Sequence, residues 1–469
     1  MLRPAIYVSI LLFLSLHPLS EGASEQATGT PSLPRLRVAA NHRYLEQENG
    51  SPFLYLGDTA WSLFHRLSRE EADLYLANRA QKGFTVIQAV VIAETEGLET
   101  PNSYGDLPLL EQDPERPNEA YFRHVDYIVE KAGAHGMYIG MLPTWGRYWK
   151  HDGKNIFTEA KARNYGVYLG RRYREKALIW ILGGDSNPAN SAERAVIEAM
   201  AAGLREGDQG RHLITFHPRG PGRSSAFFHD SQWLDFDMYQ SSHGGRDHDN
   251  GLYAELDYRL QPPKPTMDGE PRYERIPVGF YFANSDRCDR FEAYDVRQAA
   301  YWSLLAGACG HTYGHNSVWQ MWTPARKPII FADVPWQEAL DHSGAFQMTF
   351  VRRLMQSRPF QKLEPYQAMV LDGPKTGAAK IRAARASDGS FAFVYSPAGE
   401  KFTIDQSAVK GARLKEIWYD PRYGVAHEIH TGTSKAIQTY TPPNSGRGCD
   451  WILILEDEAE KFPLPGAGS

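Results

Sequence analysis

Eight short apolar runs punctuate the first three quarters of the chain: Phe53–Leu56, Thr85–Ile92, Met137–Leu142, Leu178–Leu182, His212–Phe216, Phe236–Tyr239, Pro265–Asp268 and Gly310–Tyr313. Most of the intervals between them carry amphipathic helical patterns, as at Ser68–Gln81, Glu119–His135, Glu159–Tyr173, Ala192–Glu206 and Ala293–Ala306. Strands that alternate with helices are joined by crossovers, and crossovers make a parallel sheet. Ser68 with Glu71 three residues on has the form of a helix capping box, and Lys82-Gly83 and His135-Gly136 read as helix stops before the next strand. Eight such units predict a (β/α)₈ TIM barrel over residues 37–360, with a doubly wound open sheet as the runner-up. No G-x-G-x-x-G follows the first strand, which disfavours the nucleotide-binding form of that runner-up.

After Pro359 the pattern changes. Phe391–Tyr395, Leu414–Trp418 and Trp451–Leu455 are strand-like, Asp388-Gly389 suits a hairpin turn, and no long amphipathic helix remains. Residues 361–458 are therefore expected to form a small antiparallel β-sandwich, followed by a tail at 459–469. At the other end, Arg3 followed by the apolar run Ile6–Leu16 and small residues at Ser20 and Gly22 predicts a signal peptide over 1–22, hence export to the periplasm or beyond. That run is too short to span a bilayer. Residues 23–36, rich in Ser, Pro, Thr and Gly, read as a disordered spacer. Cys288, Cys309 and Cys449 are the three cysteines; their odd number excludes a disulfide-built scaffold and leaves a Cys288–Cys309 bridge open. Their spacing matches no zinc motif. A net charge of −5 lacks the basic surface that nucleic acid requires. Nothing in the sequence sets the oligomeric state.

Barrel enzymes collect their chemistry where the strands end in the C-terminal direction, because those loops converge on one mouth. Here those stations hold aromatic and ionisable residues together. Asp58 and Trp61 follow the first strand, Trp145 and Arg147 the third, Asp185 the fourth, His217 the fifth, His243 the sixth, Glu270 the seventh and His315 the eighth. Asp185 comes after Gly183-Gly184, where the backbone can turn sharply, and Glu270 lies in Asp268-Gly269-Glu270-Pro271. Strands four and seven can present two carboxyls across the mouth, as glycoside cleavage requires: one protonates the leaving oxygen, the other attacks or activates water. Asp185 and Glu270 are the candidate catalytic pair. Asp58, Trp61, His65, Gln88, Trp145, Arg147, His217, Tyr239, His243 and His315 are candidates for sugar binding, with Trp149 as a further aromatic. The cluster His229, Asp230, His243, Asp247, His248 and Asp249 fits no metal motif and reads as a solvated polar loop. No metal or other cofactor is expected, and no G-x-S-x-G elbow suggests an esterase.

Three segments carry a resemblance. Tyr55-Leu56-Gly57-Asp58-Thr59-Ala60-Trp61, Trp180-Ile181-Leu182-Gly183-Gly184-Asp185 and Asp268-Gly269-Glu270-Pro271-Arg272-Tyr273-Glu274 together resemble the apiosidase-like glycoside hydrolases of family 140. The likeness spans about Leu36 to Pro359, and Ile417-Trp418-Tyr419-Asp420-Pro421-Arg422 with the Trp451 strand is similar to the domain, labelled collagen-binding, that commonly follows it. The resemblance implies an exo-acting, retaining hydrolase that removes an apiose-like furanoside from pectic polysaccharide, with Asp185 as acid/base and Glu270 as nucleophile. The wider clan of retaining barrels carries Asn-Glu where this chain has Gly184-Asp185, a side chain one methylene shorter. Two other readings stay open: a glycosidase for another sugar, such as an arabinofuranoside, and an inactive carbohydrate-binding protein of the same fold.

Overall fold

The structure, a computed structural model, describes residues 33–466; the expected signal segment and most of the expected spacer lie outside them. Eight parallel strands form the barrel: β1 Tyr55–Thr59, β2 Val86–Ile92, β3 Tyr138–Thr144, β4 Leu178–Gly183, β5 Ile214–His217, β6 Asp237–Gln240, β7 Thr266–Asp268 and β8 Gly310–Tyr313. The ladder runs from β5 through β1 and β8 to β6, each neighbouring pair parallel. The seam between β5 and β6 is nearly closed: the Asp235 N–H donates to the Ile214 carbonyl at 2.9 Å and Thr215 Oγ1 donates to the Phe236 carbonyl at 2.7 Å. All seven residues of both β2 and β3 are buried, as expected of strands covered on both faces.

Among the described residues, seven helices of eight residues or more surround the strands: α1 Arg69–Gln81, α2 Glu119–Ala134, α3 Glu159–Tyr173, α4 Ser191–Asp208, α5 Gly251–Tyr258, α6 Ala293–Leu305 and α7 Ser343–Gln356. The capping box at the start of α1 forms: Glu71 N–H donates to Ser68 Oγ at 3.2 Å and Ser68 N–H to Glu71 Oε2 at 2.9 Å. No helix among the described residues is long and apolar enough to cross a membrane.

β1 begins two residues later than expected. Pro52 and Phe53 instead complete a three-stranded antiparallel sheet with Leu36–Val38 and Leu45–Gln47, set where β3 begins, so that Phe53 packs on Tyr138. The shift moves Asp58 from the mouth into the strand. Its side chain is fully buried against α1, where Arg79 Nε donates to Oδ2 at 2.7 Å and the Tyr75 hydroxyl at 2.6 Å. Asp58 is thus a buried structural ion and not the sugar ligand the sequence suggested. The cysteines also differ from one expectation. All three are free thiols, with Cys288 exposed and Cys309 buried next to β8, so no Cys288–Cys309 bridge exists.

Beyond the barrel, six antiparallel strands form one sheet and three more form a second, with Val370–Asp372, Phe402–Asp405 and Ile437–Tyr440 in the smaller. Alternate residues explain why the larger sheet is apolar on both faces. Ala383, Val394, Trp418 and Leu453 pack against Phe402, Ile404 and Tyr440 of the smaller sheet. Their neighbours Ala384, Tyr395, Tyr419 and Ile454 join the apolar core that is continuous with the barrel. A buried ion pair fastens the same junction: Arg297 on α6 donates from Nε and Nη2 to Asp450 at 2.8 and 2.6 Å, and Tyr395 donates to the same carboxylate at 3.1 Å.

Removing the Asp58 carboxylate leaves Arg79 buried without its counter-ion, a loss of about 3–5 kcal/mol. Asp58→Ala is therefore expected to lower the thermal unfolding midpoint sharply while leaving the KM of the folded fraction unchanged. A raised KM with an unchanged midpoint would return Asp58 to the binding site.

Candidate active site

The turn after β4 places the first carboxyl. Gly183, Gly184 and Asp185 all have left-handed backbone, with φ of 93°, 86° and 48°. A Cβ on Gly183 would lie 2.3 Å from the His217 carbonyl oxygen, and one on Gly184 would lie 3.0 Å from the Trp145 Cα, so only glycine fits at either position. Asp185 has no such freedom. Holding a side-chain-bearing residue in this region costs about 1–3 kcal/mol and persists only where the surroundings impose it. They do so through four hydrogen bonds. Gly184 N–H donates to the His217 carbonyl (3.2 Å), Gly146 N–H to the Gly184 carbonyl (3.0 Å), Trp149 Nε1–H to the Gly183 carbonyl (2.8 Å) and Asp185 N–H to His217 Nδ1 (3.1 Å). Trp149 is thus a buried brace for the turn, not a sugar platform.

That last bond also orients the histidine. Because Nδ1 accepts, the ring proton sits on Nε2, which lies 3.1 Å from Glu270 Oε2. On the other side His243 Nε2 lies 3.2 Å from Glu270 Oε1. Glu270 is buried, and burial alone would raise its pKa; the two histidines, one at each oxygen, outweigh that and hold it well below the ordinary glutamate value. Asp185 moves the opposite way. Burial first and the Glu270 charge second push it up to about 6. Two carboxyls with opposed shifts are suited to one acid and one anion in the same reaction.

Both line a cavity of about 490 Å³ together with Trp61, Trp145, Gln240, His243, Tyr273 and Trp319. Trp61 and Trp145 meet edge to face with ring centroids 5.3 Å apart, making one aromatic wall. The cavity lies at the C-terminal ends of the strands and suits a sugar ring with aromatic faces and a few polar groups.

The remaining sequence candidates fall elsewhere. Gln88 is in the barrel interior, accepting from the Tyr55 hydroxyl at 3.0 Å and donating to the Gly269 carbonyl at 2.9 Å, directly behind Glu270. Tyr239 points away from the mouth and stacks on Tyr253; its neighbour Gln240 reaches the cavity instead, as strand alternation requires. His315 is fully buried between the Ser317 amide and His342, at 3.0 Å from each, and holds the loop after β8. His65 and Arg147 line a second cavity, of about 750 Å³, whose wall also includes Arg66, Arg326 and Lys327. The other acids of the motifs are structural. Asp268 accepts from Ser241 and Asn250, and Glu274 accepts from Tyr313 and the Gly344 amide at the start of α7. His229 of the polar loop is paired with Asp237 at 2.9 Å.

One residue that sequence reasoning missed is Glu94, two positions beyond β2. It lines both cavities, and burial first, then the charges of Asp185 and Glu270, push its pKa up to about 8.

With the geometry in place, comparisons with known proteins agree. Residues 39–362 match the family described as "Apiosidase-like, catalytic domain", and residues 365–456 match "Putative collagen-binding domain of a collagenase". A solved structure named a glycoside hydrolase is 32% identical, with a TM-score of 0.84 over 91% of this chain and 97% of its own. A structure described as a glycoside hydrolase family 5 from Bacteroides vulgatus ATCC 8482 is also 32% identical, with a TM-score of 0.84 over 93% and 97% of the two chains. None of the curated proteins matches.

His217 supports both carboxyls at once. His217→Ala is expected to remove the imidazole 3.1 Å from Glu270 Oε2 and leave the Asp185 amide without its acceptor, at about 1–3 kcal/mol for a buried group, or about 10–100-fold in kcat/KM. The acid limb of the pH–rate profile should also move to higher pH, because Glu270 loses one of the groups that hold its proton off. A drop in activity with no movement of that limb would show that His217 does not tune Glu270.

Proposed function

Because the chain belongs to the apiosidase-like family and is a glycoside hydrolase, we propose that it is an exo-acting, retaining enzyme that removes an apiose-like furanoside from a pectic polysaccharide outside the cytoplasm. The observation that carries the reading is the division of charge within one cavity. Glu270, kept ionised by His217 and His243, is suited to attack the anomeric carbon, and Asp185, kept protonated to about pH 6, is suited to give its proton to the leaving oxygen. In the second step the Asp185 carboxylate takes a proton from water, which displaces Glu270 from the sugar. The aromatic wall of Trp61 and Trp145 supports a compact sugar ring, and the second cavity, bordering the first at Glu94, has room for the remainder of the saccharide. The apolar run at Ile6–Leu16 supports export.

The test is a panel of aryl furanosides, with the anomer first released followed by proton NMR. The expected result is turnover of an apioside with the configuration of the substrate. Faster turnover of an arabinofuranoside would change the sugar, inversion would change the role of Glu270, and no turnover of any glycoside would leave a binding protein. Since the acid must carry its proton, kcat/KM is expected to fall about tenfold per pH unit above about 6. Asp185→Ala should remove that limb and keep the first step for an activated aryl glycoside. Added azide should then restore turnover and give a glycosyl azide of retained configuration.

A further inference from the structure

Among the described residues that line the cavity of Asp185 and Glu270, Glu94 is the one further carboxyl, and neither role above uses it. The segment that carries it is tied down on several sides. Arg147 Nη1 donates to the Glu94 carbonyl at 3.3 Å, Arg66 Nη2 donates to Thr95 Oγ1 at 3.3 Å, His65 Nε2 lies 2.9 Å from the Thr100 carbonyl, and Lys154 pairs with Glu99. Of the three glutamates in this segment, Glu94, Glu96 and Glu99, only Glu94 borders the cavity of Asp185 and Glu270. It stands where that cavity meets the larger one, so a saccharide occupying both must pass beside its carboxyl group.

We propose that Glu94 binds the saccharide at this junction as a hydrogen-bond donor, holding the sugar being cleaved in register with Asp185 and Glu270. This assignment rests on the glycosidase reading of the cavity. A glutamate can donate only when protonated, and its surroundings favour that form. Asp185, Glu270, His243 and Arg219 face it from the catalytic cavity, and His65, Arg66, Glu96, Arg147, Arg326 and Lys327 line the other. Burial and the two neighbouring carboxylates prevail over Arg147 and the Trp145 indole, which favour the ionised form, raising the group from its ordinary 4.5 to about 8. A second negative charge beside Glu270 would disfavour its ionised form, whereas a neutral carboxylic acid can bond a sugar hydroxyl without adding charge.

Glu94→Gln, Glu94→Ala and the parent enzyme distinguish this role by two measurements. The first is thermal unfolding against pH, which needs no substrate. Between pH 4.5 and about 8 the unfolded chain ionises Glu94 while the folded chain keeps the proton, so the parent loses stability as pH rises through that window. The Gln variant lacks this contribution, so its midpoint should gain on the parent's across the window and keep a constant difference above it. The second is kinetics below pH 6 on a glycoside the parent hydrolyses. Gln keeps a donor and should leave KM within about twofold, while Ala should raise KM about tenfold with little change in kcat. A midpoint difference independent of pH, or a Gln variant as impaired in KM as the Ala variant, would overturn the proposal. Hydrolysis of no glycoside by any of the three would instead overturn the reading of function, and would do so whatever the unfolding data show.

Discussion

Three carboxyl groups line one cavity, and their mutual repulsion disfavours the state in which all are ionised. Like charges in a space with little water repel strongly, so the protein must select which group carries the charge. It does so with two imidazoles placed on one carboxylate. Glu270 has a histidine within 3.2 Å of each oxygen; at Asp185 and Glu94 burial and neighbouring charge outweigh the groups that favour ionisation, and both shift toward their neutral forms. Protonation in this site is therefore a property of the set, and the position of His217 and His243 decides how the set divides.

His217 has its influence because of backbone geometry one strand away. The Gly183-Gly184 turn brings the Asp185 amide onto His217 Nδ1, which leaves the ring proton facing Glu270. The same turn that aims Asp185 thus also selects the tautomer beside Glu270. The arrangement depends on near-contacts that no side chain could enter, including the Gly183 position against the His217 carbonyl and the Gly184 position against Trp145. Trp149 completes it from below by occupying the Gly183 carbonyl. The strain at Asp185 is held by a scaffold whose strands are buried on both faces.

Much of this was legible in the chain itself, and the exceptions have identifiable causes. The alternation of apolar runs and amphipathic patterns located all eight barrel strands, and Gly-Gly-Asp and Gly-Glu-Pro marked the two strand ends that meet in the cavity. Asp58 was misplaced because the run Phe53–Leu56 contains the end of one sheet and the start of another, and nothing local separates them. Gln240 reaches the cavity in place of Tyr239 because alternation fixes which of two neighbours turns inward only once the register is known. His315 looks like a mouth residue by position, yet a partner distant in sequence, His342, draws it under the surface. Glu94 gave no signal at all. It lies in a stretch of acidic residues that reads as a solvated turn, and what sets it apart is the proximity of carboxyls from β4 and β7, far along the chain.

The larger C-terminal sheet is covered on both faces, by its small partner sheet and by the barrel, and Arg297 is buried against Asp450 across the second of these boundaries. An appended module that merely captures polymer hangs on a linker and can be traded between proteins by gene fusion. This one cannot be exchanged so freely, because a replacement would have to supply a carboxylate for a buried guanidinium and an apolar sheet face cut to the same barrel. The C-terminal segment is accordingly an outer wall of the enzyme, and the two parts are expected to change in sequence together along their shared boundary.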